Sequence, residues 1–552
     1  MASLDTPAKG IPTWALLFSQ LPAPATSTAA GSGYHVAITG YGNNGTGQGG
    51  AAGSDFRRRL AENMIGGLAS LGDFEQFLFG PTGTTDATNP QNLYWMDFDD
   101  PRRGTASASP YDFNAWRDNA LPNEGITSQG DSGGPMILDR AYARQLVIGV
   151  LSGGYTRFFT GQPANGYGTA GFYQPLYLYW DWIAANNPYH YVTNVAGNGN
   201  WNDPTRWVTT LDPNYMILSG GNAVNGIPTD LGTGNSNTPG WGQACYQTTT
   251  SSECRNIATG VDTVTATPIG QAEDSPASAS VSPGDVTDNK DTVTIAAIEG
   301  QAAQVLSKDN AQLESQAGGV TALALPLATL ANGLPGATNF VPNNNDGNRL
   351  TNTAPRYFDV TLSAAGTTTL NTVATVDRFT LAGGTAVLDI AAGGSLTSLM
   401  DITQATGTMQ VNGSITTPGD YLMLSGGLNG TGTVSSAFFT NIAGTIAPAT
   451  VGTVGTLTFR GNVILASGGT YMVDLSGTGA SDLIRVQATT FTGTTPTNGV
   501  ANIGGRLTIG FTDALRAGQT YTILTAEGGL TGTFQTPTSF SAILRPTVTY
   551  TA

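Results

Sequence analysis

The chain has 552 residues, enough for several domains with large cores, and only 11% are charged, against roughly 25% in average soluble proteins. Its 22 Lys and Arg are outnumbered by 38 Asp and Glu, a net charge of −16, and Lys9, Lys290 and Lys308 are its lysines. No basic patch can neutralise phosphates, which excludes nucleic acid and anionic lipid as partners, and no apolar run is long enough to span a bilayer as a helix.

In chain order, the opening MASLDTPAKGIPTWALLF lacks the charged n-region, apolar core and cleavage site of a signal peptide, so any export signal is expected outside this sequence. YHVAITGYG, residues 34–42, and QLVIGVLSGG, residues 145–154, are short apolar runs ended by glycine and predict strands. Between them, Asp97, Asp99 and Asp100 in MDFDDPRRG could suggest a cation site. Arg102 and Arg103 follow at once, so a solvated or salt-bridged loop is expected instead, with no metal site. FYQPLYLYWDWIAANNP, residues 172–188, places Leu178, Trp182 and Ile183 at helical spacing and stops at Asn-Asn-Pro, which predicts a closing helix.

Near residue 188 varied, aromatic-rich sequence gives way to Gly, Thr and Asn, and this is the first expected domain boundary. Beyond it, short runs of Val, Leu, Ile, Thr and Phe recur between Gly/Asn/Ser turns without a fixed period, as stacked coils of a solenoid would require. Trp201 and Trp207 could form a sugar-stacking platform, but burial where the coils begin is the expectation for paired tryptophans at a junction. Residues 237–349 break the pattern. They carry an acidic Ala/Ser/Pro stretch, AEDSPASASVSPGD, and NNNDGN at 343–348, which lacks the bidentate acid of a calcium loop and reads as a turn cluster. They also carry Cys245 and Cys254. In an exported protein this pair closes a small disulfide loop; free thiols or a weak metal site are the cytosolic alternatives, disfavoured because metal ligands are normally spaced more tightly and are more numerous.

The most specific stretch is TSQGDSGGPMIL, in which Ser132 is flanked by Gly130, Asp131, Gly133, Gly134 and Pro135. A nucleophilic hydroxyl must stand on a tight turn whose backbone N–H groups converge on a developing oxyanion, and side chains larger than hydrogen would obstruct that turn. A glycine-rich hairpin with an incidental serine is the alternative. Six matched positions running into apolar MIL favour the nucleophile loop.

With AITGYG, VLSGG and YWDWI around it in the same order, the region resembles the second half of a trypsin-like serine protease of the kind carried on bacterial autotransporters. The resemblance implies Ser132 as nucleophile, the N–H groups of Gly130 and Ser132 as oxyanion hole, and Ser152, Gly153 and Gly154 as the cleft strand that pairs with a protein or peptide substrate. It puts Ile126 at the base of the specificity pocket. An isoleucine there supplies no carboxylate for Arg or Lys, so cleavage after apolar residues is expected, with Gly154 leaving the pocket mouth open. No cofactor is implied. In many relatives a newly cut amino terminus satisfies the acid at Asp131, and here its partner is left open.

A serine needs a base and an orienting carboxylate, and the histidines are His35 and His190. The family places the strand of His35 away from the cleft, and His190 lies beyond the closing helix, so both read as ordinary strand or loop histidines. Aligning MASLDTPA with the family pattern Asp-Ile/Val-Ala-Leu-x-x-Leu puts Leu4 on the last leucine, Met1 on the fourth position and the catalytic Asp before Met1. The catalytic His and Asp are therefore expected upstream, Met1 being an internal methionine or the product of a deletion.

GNGNWNDPTRW, GTIAPATVGTVGTLTFRGNVIL and GGTYMVDLSGTGASDLIRV resemble autotransporter passenger repeats, and the final GGRLTIGF, AGQTYTILTAEGGLTGTF and AILRPTVTY resemble the stretch that caps them. The expected fold is mainly β: a partial trypsin-like β-barrel protease domain in residues 1–187, followed by a right-handed parallel β-helix passenger. That passenger is expected to start at 188–236, to be interrupted by an excursion at 237–349, to resume at 350–467 and to end in an autochaperone-like cap at 468–552. The function expected is an exported serine endopeptidase, secreted or displayed on a bacterial surface. The alternative is a catalytically inactive adhesin or structural passenger. Any outer-membrane attachment is expected through a barrel not present in this chain.

Overall fold

The computed structural model describes residues 8, 11–24, 33–79, 92–230, 240–247, 252–265, 325–491, 496–541 and 543–551. The opening alignment of Met1 and Leu4 and the acidic Ala/Ser/Pro stretch lie outside the described residues. The protein is mainly β, 44% strand against 5% helix, and among the described residues no helix is long and apolar enough to cross a membrane. It divides into two compact units. One takes residues 12–182 and 213–326, the other residues 183–212 and 327–552 together with the first eleven. The first crossover comes after Trp182, and the chain then returns to the first unit for residues 213–326. Tyr215–Ser219 and Asn222–Asn225, expected at the start of the passenger, form a hairpin whose first strand pairs with Ala15–Leu17 in the earlier unit.

That unit contains β1 (Ala15–Leu17), β2 (Tyr34–Gly40), β3 (Asn44–Thr46), β4 (Gly50–Gly53), β5 (Arg59–Ile65), β6 (Gly67–Ser70), α1 (Leu71–Phe79), β7 (Asn92–Asp97), β8 (Pro135–Leu138), β9 (Leu146–Tyr155) and β10 (Ala170–Pro175). Antiparallel pairing runs β5–β2–β8–β9–β10–β7–β6. The order starts and ends on β5 and β6, strands that are separated in the chain by Gly66. β7 is buried on both faces, and its period of two divides the residues between two cores. Tyr94 and Met96 join Val36, Ile38, Met136 and Ile148 on one side, while Leu93 and Trp95 join Phe74, Trp116, Tyr155 and Phe172 on the other. Burying such rings contributes about 2–3 kcal/mol each, provided polar ring atoms find partners. Trp95 Nε1 donates to Ala69 O at 2.9 Å.

The closing helix is shorter than its sequence pattern suggests. Residues 172–175 belong to β10, and the helix α2 (Trp180–Asn186) follows a single 3-10 turn. Trp180 is buried and Trp182 is 45% exposed, so the inward face differs from that expected. An apolar run buried in a central strand carries no alternation, so from the sequence its residues read as part of the helix. Cys245 and Cys254 stand directly opposite one another in the hairpin Trp241–Gln247/Ser252–Asn256 and are joined by a disulfide.

In the second unit the pairing is almost entirely parallel. Tyr189–Asn194, Tyr357–Leu362, Arg378–Leu381, Ile402–Gln404 and Tyr421–Met423 make one ladder. Gly366–Leu370, Ala386–Ile390, Thr408–Val411, Gly427–Gly430, Thr445–Pro448, Thr470–Leu475 and Arg506–Phe511 make another. Parallel register places like side chains above one another, so Val360, Phe379, Ile402, Tyr421 and Phe439 form one buried column. Trp201 and Trp207 are buried at the same core, edge-on at 4.7 Å.

His190 lies on the first ladder, paired with Phe358 and buried. Burial, with Arg356 nearby, lowers its pKa from 6.5 to about 4. The unfolded chain therefore takes up the proton first as pH falls, and the stability contributed by a neutral His190 is lost between about pH 6.5 and 4, amounting to about 3 kcal/mol at most. In an NMR titration of the two imidazoles, the resonance absent from His190→Gln should titrate near pH 4. A midpoint between 6 and 7 for that resonance would show the ring to be solvated.

Candidate active site

The antiparallel match of Ile38 with Met136 sets the Ser132 loop beside the end of β2. The Asp131 carboxylate holds it there. Oδ1 accepts the Gly42 N–H at 2.7 Å and Oδ2 accepts the Ser128 N–H at 2.9 Å, while Asn43 N–H donates to Gln129 O at 2.9 Å. These amides are the partners of the Asp131 acid that the sequence alone leaves open. The approach requires glycine: a Cβ on Gly42 would stand 2.6 Å from Asp131 Cγ. Gly130 and Gly133 adopt φ of +97° and +78°, a region that favours glycine.

Within the loop the amides are divided between two fates. Asp131 N–H donates to Ser128 O, Gly133 N–H to Leu151 O and Gly134 N–H to Asp131 O, at 3.1, 3.1 and 2.8 Å. The N–H groups of Gly130 and Ser132 have no hydrogen-bond partner among the described residues, and neither has the exposed Ser132 hydroxyl. Leu151 N–H returns a bond to Gly134 O at 2.8 Å, tying the loop to β9.

β9 continues as Ser152, Gly153 and Gly154. Gly154 pairs with Gly171 and Gly153 with Phe172, after which the register shifts, so that Ser152 is the extra residue of a bulge. A Cβ on Gly171 would meet Ile126 Cδ1 at 3.3 Å. Ile126 therefore packs next to Gly171, the residue that pairs with Gly154.

Neither histidine completes this site. His35 Nδ1 lies 2.6 Å from Asp139 Oδ1, and Nε2 is 3.8 Å from Glu62. It sits four residues from Thr39, the strand residue closest to Gly134, which is roughly 13 Å at about 3.3 Å per residue. His190 is enclosed in the parallel ladder.

The other candidates resolve differently. Asp97, Asp99 and Asp100 are buried, not solvated. Asp100 pairs with Arg102 at 2.6 Å, and Arg103 bridges Asp99 and Asp112. In NNNDGN, Asn343 and Asn344 use their side-chain oxygens on the Thr375 and Phe358 amides, and so serve the ladder edge. Trp201 and Trp207 donate to Pro342 O and Trp201 O and present no open face for a sugar.

No protein-family model matches the sequence, and no curated protein matches it. Asp131→Ala should free both anchoring amides and lower the stability of the unit by roughly 2–4 kcal/mol, with increased proteolysis of the serine loop. Unchanged urea unfolding and an unchanged proteolytic pattern would mean that the loop holds its shape without the acid.

Proposed function

We propose that the protein is an exported serine endopeptidase of the autotransporter type, with Ser132 as nucleophile and the Gly130 and Ser132 amides as oxyanion hole. The observation that carries this reading is the division of the loop amides. Those expected to receive an oxyanion are the ones left unengaged, while their neighbours are fixed by bonds that hold the turn. Donors already aimed before reaction need no reorganisation when charge develops, and losing one such donor typically costs about 3–4 kcal/mol of transition-state stabilisation. The antiparallel order that begins and ends on β5 and β6 supports a trypsin-like barrel, and the parallel ladders with their stacked columns support a β-helix passenger that displays it. Ser152 to Gly154 offer the edge for a substrate strand. The apolar contact of Ile126 near Gly171 supports cleavage after apolar residues.

A second reading is favoured by one fact: neither His35 nor His190 is placed to take the proton of Ser132. On that reading the protein is an adhesin or structural passenger. A fluorophosphonate probe separates the two. The chain of 552 residues should label poorly; if the reading frame extends upstream, the longer protein should label at Ser132, lose the label in Ser132→Ala, and cut peptide libraries after apolar residues. Absence of labelling in the longer protein would leave the passenger reading; preference for Arg or Lys would show that Ile126 does not form the pocket floor.

A further inference from the structure

Between β7 and the serine loop, residues 97–124 carry Asp97, Asp99, Asp100, Asp112, Asp118 and Glu124, and the guanidiniums in contact with them are Arg102 and Arg103. Asp100 is matched by Arg102, Arg103 is shared between Asp99 and Asp112, and Glu124 accepts the Asp99 and Leu121 amides. Three carboxylates remain under-compensated. Asp97, Asp99 and Asp118 are 1%, 0% and 2% exposed, and each directs an oxygen to a common place where those atoms lie within 4.8 Å of one another. Independently of that clustering, Asp97 Oδ1, Asp99 Oδ2 and Asp118 Oδ1 are buried without a hydrogen-bond donor, and so is Asn114 Oδ1. Asn114 is tethered beside Asp118 by its Nδ2, which donates to Asp118 O at 3.1 Å. Asp97 and Asp118 can share a proton between their carboxyls while one of them is neutral, which still leaves the Asp99 and Asn114 oxygens without a donor; buried acceptors are ordinarily satisfied, so the group calls for a shared partner.

We propose that Asp97, Asp99 and Asp118, with the Asn114 side-chain carbonyl, form a buried calcium site. The donor set is oxygen throughout, which suits a hard cation and not zinc. Ca–O bonds of about 2.3–2.6 Å allow ligands on opposite sides to stand about 4.6–5.2 Å apart, which accommodates oxygens within 4.8 Å of one another, and calcium accepts a cage of protein oxygens, whereas magnesium retains its waters. Burial pushes the carboxyls of Asp97, Asp99 and Asp118 upward even with Arg103 beside Asp99, which is the cost of holding three acids here against one guanidinium. A cation would remove that cost and tie the end of β7 to the loop that leads to Ile126. The site is independent of serine chemistry and would exist in either functional reading.

The full chain, stripped with a chelator, should take up one calcium per molecule in equilibrium dialysis. Asp118→Asn should weaken uptake at least tenfold, and Asp346→Asn, in the exposed NNNDGN turn, should leave it unchanged. Because Asp118→Asn could disturb folding, terbium provides a readout on the unaltered protein. The Trp116 backbone N–H lies 3.3 Å from Asp97 Oδ2, so indole excitation should sensitise terbium emission that saturates at one equivalent and is displaced by calcium but not by equal magnesium. Failure to bind stoichiometric calcium, absence of sensitised emission, equal displacement by magnesium, or loss of uptake in Asp346→Asn would each overturn the proposal.

Discussion

The shape of the serine loop depends on one carboxylate. Asp131 grips the amides of Gly42 and Ser128, and its close approach to the end of β2 is possible because side chains are absent at Gly40 and Gly42. With the acid seated, the chain turns through Gly130 and Gly133 at positive φ, the Asp131, Gly133 and Gly134 amides face inward to carbonyls, and those of Gly130 and Ser132 remain outside the network. On the proposed reading a free loop would have to order itself at the moment of reaction, at about 1–2 kcal/mol per residue. Here the ordering belongs to folding, and that is what preorganisation would mean for such a site.

The anchor works because the strands beneath it do not shift. β7 sends alternate side chains into two cores, and β10 does the same through Phe172 and Tyr173. Displacing either strand by one residue would exchange both sets, a penalty that falls on every large ring at once. The β9 bulge at Ser152 is where this regularity is relaxed, next to the serine loop. The acidic pocket is a second departure, since it buries charge where the rest of the unit buries apolar surface.

How much of this was readable in the sequence follows the range of the interactions. Gly-Asp-Ser-Gly-Gly-Pro announced a turn because its constraints are local. The abundance of short strands was also plain, since alternation needs only a few residues. The partner of Asp131 was hidden because Gly42 is remote in sequence and contributes a backbone amide, which leaves no side-chain signature. Asp97 and Asp99 read as a salt-bridged loop because the nearest charges are Arg102 and Arg103; Asn114 and Asp118, which complete the group, come a loop later. The ladder had no visible period because its rungs differ in length: Val360 pairs with Phe379 but Phe379 with Ile402. The return of Tyr215–Ser219 to the first sheet was likewise invisible, because a strand's composition does not name its neighbour.

The proposed function requires a rigid serine loop that keeps two amides open for an oxyanion. Residue-resolved hydrogen exchange on the native chain tests it directly. The account predicts slow exchange at Asp131, Gly133 and Gly134 and fast exchange at Gly130 and Ser132. Uniformly fast exchange across residues 128–134 would contradict it, because a loop that opens freely holds no preformed site.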